Sequence, residues 1–354
     1  MGVVWHTSAR SRLHRRPQRM DINRMYQVLV MAAACMLAQS ALAAGNPQGA
    51  ALDPGVVLLQ KVQAAARSLD YSGVYTYQQG ATMASSRIIH IVDGTGERER
   101  IEMLDGAPRE YLRHNDITQC LVPEKKLIVL EHRHGDRFPA LLLNDGKSLA
   151  DNYLIRTAAA PNRIAGRECT IVELIPKDGH RYGYRICTDT KTHLLLKAQT
   201  ISGSQGAVID QISFTSLQIG GKAAAEDLAS NWDTRDWKLL ETPMTVIDLP
   251  KEGWRIPFPP GFQALTQVSR PMKAGKKVSQ LVVSDGMAAI SVFIEPFDAA
   301  HDSPLAKGAM HKGAMNVFRT RIDNYWLTAL GEVPSATLRE IAEHTEYVPR
   351  AGHK

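Results

Sequence analysis

The chain lacks the short signatures that announce most catalytic centres. Its 354 residues contain no H-E-x-x-H, no G-x-S-x-G, no P-loop and no complete G-x-G-x-x-G. Gly94-Thr95-Gly96 reads only as a turn between strands. Metal, nucleophile and phosphate chemistries that write themselves locally into sequence are therefore not indicated, although a triad assembled in space would leave no such trace. Cysteine is scarce. Of four in total, Cys35 sits in an N-terminal apolar run, leaving Cys120, Cys169 and Cys187. None forms C-x-x-C, so neither a zinc knuckle nor a thioredoxin-like centre is indicated. Beyond the N-terminal run, no segment is apolar enough to span a bilayer, which takes about 20 residues.

The N-terminal run carries its own message. Arg10, Arg12, Arg15, Arg16, Arg19 and Arg24 precede the uncharged stretch Tyr26–Leu42, which closes on Ala41-Leu42-Ala43. Positive charge, a short apolar core and an A-x-A site describe a secretory signal peptide, cut before Ala44. Translation from Met20 or Met25 would give it an ordinary length. The alternatives are an uncleaved anchor, or a lipoprotein through Cys35, which Ala32 disfavours. Cleavage rewrites the charge argument. The whole chain has 42 basic and 36 acidic side chains and a pI of about 9.1; losing six Arg and one Asp leaves 36 against 35, about +1. A nucleic-acid footprint needs clustered positive charge, and none remains at the level of the whole chain. In a bacterium the destination is the oxidising periplasm, where cysteine pairing is favoured.

The remaining length suggests two domains: 44–220, a linker over 221–245, and a smaller module over 246–350. Gly220-Gly221 and KAAAEDLASNWDTRDW mark the break, and the Pro-rich piece Leu249-Pro250 through Pro259-Pro260-Gly261 opens the second part. Asp53 as N-cap and Pro54 at the first turn predict a helix with Leu58, Val62, Ala65 and Leu69 on one face. After Tyr71 the period changes to two. Runs such as YSGVYTYQQ, SRIIHIVD, CTIVELI and VIDQISFTSLQI predict strands, with tight turns at Asp105-Gly106 and Asp178-Gly179. The second part predicts strands at QALTQV, QLVVSD, AAISVFIE and NYWLTALG, a hairpin turn at Asp285-Gly286, and helices over 304–320 and 335–344, the latter capped by Ser335. The fold class is α+β and predominantly antiparallel β: a curled sheet with helices, then a smaller α+β module. A curled sheet leaves one face needing cover, from helices or from a bound apolar ligand.

Candidate sites are few. His132-Arg133-His134 places two imidazoles on one strand face, and a solvated strand explains them better than a metal site. Glu97 and Glu99 lie among arginines and read as salt-bridged surface residues. Cys169 and Cys187 flank a hairpin centred on Asp178, which brings them nearly opposite and predicts a disulfide; the alternative is two buried thiols. Cys120 is the thiol left over. Val74, Tyr75, Tyr77, Ile89, Ile91, Tyr111, Leu112, Ile128 and Leu130 line the strands, either as core or as the wall of a lipid pocket. Lys273, Lys276 and Lys277 face either an acidic partner, lipid phosphates or plain solvent.

The whole mature chain resembles the RseB/MucB family. The resemblance rests on Tyr71-Ser72-Gly73 with Tyr75, Ile164-Ala165-Gly166-Arg167, Cys169, Pro176–Arg185, and Asp189 through Leu194-Leu195-Leu196-Lys197. In the second part it rests on Leu249-Pro250 through Pro260-Gly261-Phe262, Ser284-Asp285-Gly286 and Gly331-Glu332-Val333-Pro334. One departure is Arg185-Ile186-Cys187-Thr188-Asp189, where the family strand usually carries Trp in place of Cys187, so a disulfide here is no general family trait. The resemblance implies a first domain similar to the lipoprotein carriers LolA and LolB. It implies a periplasmic regulator, not an enzyme, without metal or other cofactor. Such a regulator binds the periplasmic part of a membrane-anchored anti-sigma factor (RseA/MucA), shields it from proteolysis, and is released by lipid or lipopolysaccharide. No nucleic-acid partner is implied, and a homo-oligomer is compatible. The rival classes are a lipid or lipoprotein carrier and a periplasmic hydrolase.

Overall fold

The computed structural model of the chain describes residues 53–349, apart from 133–137, 140, 143–145, 204–205, 222–224, 242, 273–275 and 299–306. The export segment, the imidazoles at 132 and 134, and Lys273 lie outside the described side chains.

Helix α1 (Pro54–Ser68) starts where the cap signal puts it. Asp53 accepts a hydrogen bond from the Gly55 N–H at 2.7 Å, and Pro54 occupies the first turn, where its missing N–H costs nothing. Its buried face is Val56, Leu59, Val62, Ala65 and Ala66. Leu58 is only half-buried and Leu69 falls on the C-cap, so the buried stripe is rotated from the expected one.

Helix α1 packs on a sheet of 12 strands. Its first half is β1 (Tyr71–Gln79), β2 (Thr82–Asp93), β3 (Gly96–Met103), β4 (Glu110–His114), β5 (Ile117–Val122) and β6 (Leu127–His132). After the one-turn α2 (Leu149–Asn152) come β7 (Tyr153–Ile164), β8 (Arg167–Pro176), β9 (Gly183–Asp189), β10 (Leu195–Ser202), β11 (Ala207–Ile219) and β12 (Lys238–Glu241). The order is β12-β6-β5-β4-β3-β2-β1-β11-β10-β9-β8-β7, antiparallel throughout except β12 on β6. Alternation fixes two faces. Register places Tyr71, Tyr75 and Tyr77 on one face with Ile88, Ile101, Tyr111, Ile212 and Phe214, and this face meets α1. Beyond them Tyr153, Val172, Leu174, Tyr184 and Ile186 continue the same core.

Among the described residues of the stretch expected to be a linker, 221–245, there are regular elements. Its 3-10 turn Ala225–Leu228 lies on the outer face of β3. There Arg100 donates to the Asp227 carbonyl at 3.1 Å, Asn231 N–H reaches Glu110 at 3.3 Å, and Leu228 is buried. Strand β12 then adds to the edge, with Lys238 N–H donating to the Lys126 carbonyl at 2.9 Å. Four exposed residues hide this strand from an alternation test, because neither of its faces is covered.

The second sheet has 7 strands, ordered β13 (Thr245–Val246), β15 (Gln263–Pro271), β16 (Lys277–Ser284), β17 (Ala289–Pro296), β20 (Tyr325–Gly331), β19 (Met315–Ile322), β18 (Gly308–Lys312). A short ladder pairs β14 (Trp254–Arg255) with β21 (Glu346–Tyr347). Helix α3 (Ser335–Glu343) covers the core face through Leu338, Ile341 and Ala342. Pro334 holds its N-cap position with no side-chain bond, so Ser335 is its first helical residue rather than its cap. The helix expected over 304–320 is instead the β18–β19 hairpin, to the extent that the span is described. Gly308 and Gly313, both at positive φ, break any helix there, and Phe318 and Val317 alternate between the two faces.

Candidate functional site

The inner face of the first sheet is a built apolar floor. Phe138 rests on Phe214 (ring centroids 5.0 Å apart) and on Tyr75 (5.2 Å), while Tyr75 meets Phe214 edge-on at 6.1 Å. Beside it runs a polar file. His90 stacks on Tyr71 at 4.7 Å and its Nδ1 lies 2.8 Å from the Leu69 carbonyl, fastening the helix end to β2. Glu97 is held down to about 2 by His90 and by Arg113. His90 Nε2 stands 3.9 Å off, too far for a hydrogen bond, whereas Arg113 donates at 2.8 Å and carries the firmer hold. The arginines around Glu97 are salt-bridge partners, as read from the sequence, but this network faces inward and is half-buried.

Of the nine candidate lipid-lining residues, Tyr75, Tyr77 and Tyr111 lie on this inner face. Val74, Ile89, Ile91, Leu112, Ile128 and Leu130 lie on the outer face and are half-buried. Leu112 lines a hollow of about 350 Å³ together with Arg98, Glu99, Arg113, His114, Ile117, Gln119 and Leu228. Of the residues that complete the inner floor, Ile88, Ile101 and Phe214 are reachable by following parity from Tyr75 across the ladders, whereas Leu194 precedes β10 and is not. Lys276 forms an ion pair with Asp298, and Lys277 is exposed.

The predicted disulfide is present between Cys169 and Cys187, with Cα atoms 5.5 Å apart. The two are not directly opposed. Cys169 pairs with Asp189 and Cys187 with Ile171, so the bridge runs diagonally. The hairpin centres on Gly179 rather than Asp178, because Leu174 pairs with Tyr184. Cys120 is buried outside the bridge.

The largest feature the sequence hid is the seam where the two sheets meet. Arg181, fully buried, lies in the turn between β8 and β9. It donates to Asp178 at 3.0 Å, to the Pro260 carbonyl at 2.5 Å and to Asp285 at 2.8 Å, and its guanidinium sits 5.0 Å from the centre of the Phe262 ring. Tyr153 donates to the same Asp285 oxygen at 2.9 Å. The other Asp285 oxygen accepts from Met287 and Ala288 N–H at 2.9 and 2.8 Å, which builds the β16–β17 turn. The turn residue read from sequence is thus also the anion of a buried ion pair. A second contact centres on Asp210 of β11. It accepts from Gly80 N–H at 3.0 Å and, across the seam, from Ala314 N–H at 2.9 Å, with Tyr77 OH at 3.4 Å. Gly313 is required there: its φ is +58°, and a Cβ would stand 2.0 Å from Asp210 Oδ1. Asn316 donates to Tyr182 OH at 3.0 Å and Thr337 to the His180 carbonyl at 3.1 Å. Burial raises the Asp210 carboxyl above its ordinary range, and burial followed by the Asp210 charge pushes Glu332 up to about 7.

Comparison with known proteins follows the same two parts. The model of the MucB/RseB N-terminal domain matches residues 54–232, and that of the MucB/RseB C-terminal domain matches 248–346. The chain belongs to the MucB/RseB family. Among curated relatives, the sigma factor AlgU regulatory protein MucB of Pseudomonas aeruginosa is 28% identical over 292 residues, spanning 80% of this chain and 88% of that protein. The sigma-E factor regulatory protein RseB of Escherichia coli K12 is 23% identical over 297 residues, spanning 82% and 90%. Among solved structures, the Pseudomonas aeruginosa MucA/MucB complex aligns with a TM-score of 0.66 at 26% identity, covering 85% of this chain and all of that one. A crystal structure of MucB with MucA(peri) gives 0.64 at 26% identity, covering 84% and all of that chain. The family's two-part, largely antiparallel architecture is the one seen here.

Proposed function

We propose that this chain is a periplasmic regulator of a sigma-E-type envelope-stress response, and not an enzyme. It binds the periplasmic part of a membrane-anchored anti-sigma factor and shields it from proteolysis, and lipid or lipopolysaccharide releases the complex. The observation that carries the reading is the match to both family domains in order along one chain, supported by likeness to MucB structures that include MucA. The apolar inner floor supports a lipid role for Tyr75, Tyr77 and Tyr111, and the exposed Lys277 is a candidate contact for the partner. In physical terms the lipid ligand must favour the free conformation over the partner-bound one, or nothing switches.

A pull-down tests this, using the periplasmic segment of the anti-sigma factor from the same genome, with and without lipopolysaccharide. Capture without lipopolysaccharide and loss with it is the expected result; no complex in either condition refutes the reading. A lipid or lipoprotein carrier is the second reading, favoured by the same apolar floor, but it gives the 7-stranded sheet no task. Removing residues 246–354 abolishes partner binding if the chain is a regulator, and undiminished binding favours the carrier.

A further inference from the structure

The hollow beside β4 has the make-up of a small-molecule site. Register fixes which side chains enter it. Arg98 pairs with His114 and His114 with Ile117, while Arg100 pairs with Leu112 and Leu112 with Gln119. All of them share one face of the sheet, opposite the face on which Ile101 and Tyr111 join the core under α1. Glu99 and Arg113 also border the hollow, but their side chains follow the opposite parity and pair with each other at 3.5 Å on the inner face. A further wall is Leu228, buried, from the 3-10 turn that Arg100 ties down through the Asp227 carbonyl at 3.1 Å. The hollow thus offers three aliphatic side chains, Leu112, Ile117 and Leu228, and one cation from its own face, Arg98. That cation is loosely held. Its ion-pair partner Asp93 stands 3.5 Å away, with the two side chains 34% and 37% exposed. The other Asp93 oxygen is taken by the Thr95 N–H and hydroxyl, at 2.8 and 2.6 Å. A guanidinium carries five N–H donors in a planar fork that matches a carboxylate, so Arg98 has donors to spare.

We propose that this hollow binds a small amphiphilic carboxylate, with Arg98 on the head group and Leu112, Ile117 and Leu228 around the apolar body. Charge selects the sign, because a single weakly paired cation is completed by an anion. The fork selects the head group, since two parallel N–H···O bonds suit a carboxylate. Volume selects the size. About 350 Å³ holds roughly a dozen non-hydrogen atoms, at the roughly 30 Å³ that a water molecule takes up in the liquid. A medium-chain fatty acid fits that space, and a lipid with several chains does not. The hollow lies on the opposite face of the sheet from Tyr75, Tyr77 and Tyr111, so it is separate from the lipid role proposed for the inner floor and stands or falls apart from the partner reading. Leu228 belongs to the segment that leads to the second sheet, so an occupant fastens that segment to β3, β4 and β5.

Calorimetric titration of the mature chain with decanoate tests the site, with decanol and acetate separating body from head group. One decanoate binds per chain, and decanol and acetate bind at least about tenfold more weakly. Arg98→Gln weakens decanoate by about tenfold to a hundredfold, the range for hydrogen bonds to a charged group, and leaves decanol unchanged. Ile117→Asp, at a position 42% exposed where the fold is not at stake, weakens both. Methyl NMR locates the molecule: the signals of Leu112, Ile117 and Leu228 move with decanoate, and those of Ile88 and Ile101 on the inner face stay. Equal decanoate affinity in wild type and Arg98→Gln overturns the proposal. So does saturation at Ile88 and Ile101 alone, which places the molecule on the aromatic floor. Acetate bound as tightly as decanoate shows an adventitious ion only and overturns the amphiphile, and absence of both heat and methyl shifts overturns the site.

Discussion

Replacing Arg181 by Met removes the cation from a pair in which both side chains are 0% exposed, so solvent screening offers no relief. Asp285 then keeps three donors, Tyr153 OH and the N–H groups of Met287 and Ala288, but no countercharge. Breaking a buried pair from one side costs about 3–5 kcal/mol, and the surviving donors place Arg181→Met near the lower end, about 3 kcal/mol. Asp285→Asn leaves Arg181 with Asp178 and the Pro260 carbonyl, and costs about 2 kcal/mol by the same reasoning. The double variant leaves no orphaned charge, so its cost stays near that of Arg181→Met alone, a coupling of about 2 kcal/mol. Urea unfolding at neutral pH measures the cycle, followed by far-UV and near-UV dichroism so that separate unfolding of the two sheets would show as non-coincident transitions. Additivity within about 0.5 kcal/mol would refute the claim that this pair carries the seam.

Three further outcomes follow from the first sheet. Cys169→Ala with Cys187→Ala opens a loop of sequence separation 18 and lowers stability by about 3 kcal/mol on the chain-entropy model; thiol labelling of the unfolded, unreduced mature protein modifies Cys120 alone, and labelling at three cysteines rules the bridge out. Glu97, held down to about 2 by His90 and Arg113, contributes stability that is present above its ordinary 4.5 and lost as pH falls toward 2. Glu97→Gln therefore destabilises at pH 6 and is near neutral at pH 2, and thermal melts showing equal losses at both would count against the network. Phe214→Ala empties the aromatic floor and costs about 3–5 kcal/mol, with apolar-dye binding as the readout of the exposed floor; a loss under about 1 kcal/mol would mean that the floor is loosely packed.

Local chemistry made much of the fold legible. The Asp53-Pro54 start, the period-two runs and the Cys169–Cys187 hairpin each depend on neighbours close in sequence, and they appear where expected or one residue away. The misses have a shared physical origin. The span 304–320 reads as a helix in sequence, yet the strands there are specified by cross-ladder partners such as Ala329 opposite Phe318. Strand β12 has no alternation to read because neither face is buried. The candidate lipid residues mixed two faces because residue type was weighed without parity, which a register settles at once: Tyr75 pairs with Ser86, so Ile89, three residues further on, points to the opposite face.

The seam was beyond reach for a deeper reason. Arg181 and Asp285 are 104 positions apart, and Asp210 and Ala314 are separated by the same distance. Each residue already had a sufficient local explanation. Asp285 looks like a turn residue, and Gly313 falls within the span expected to be helical. Their second roles arise only when the two sheets meet, largely through polar contacts, with Met287 of the β16–β17 turn entering the core of the first. An apolar interface of that size would have shown as unexplained hydrophobic positions in both halves, and it would have been permanent. A polar one is invisible in composition and finely balanced in energy, since the desolvation of Arg181, Asp285 and Asp210 offsets most of what their contacts return. A partner or a ligand can shift such a joint only by as much as its affinities for two arrangements differ.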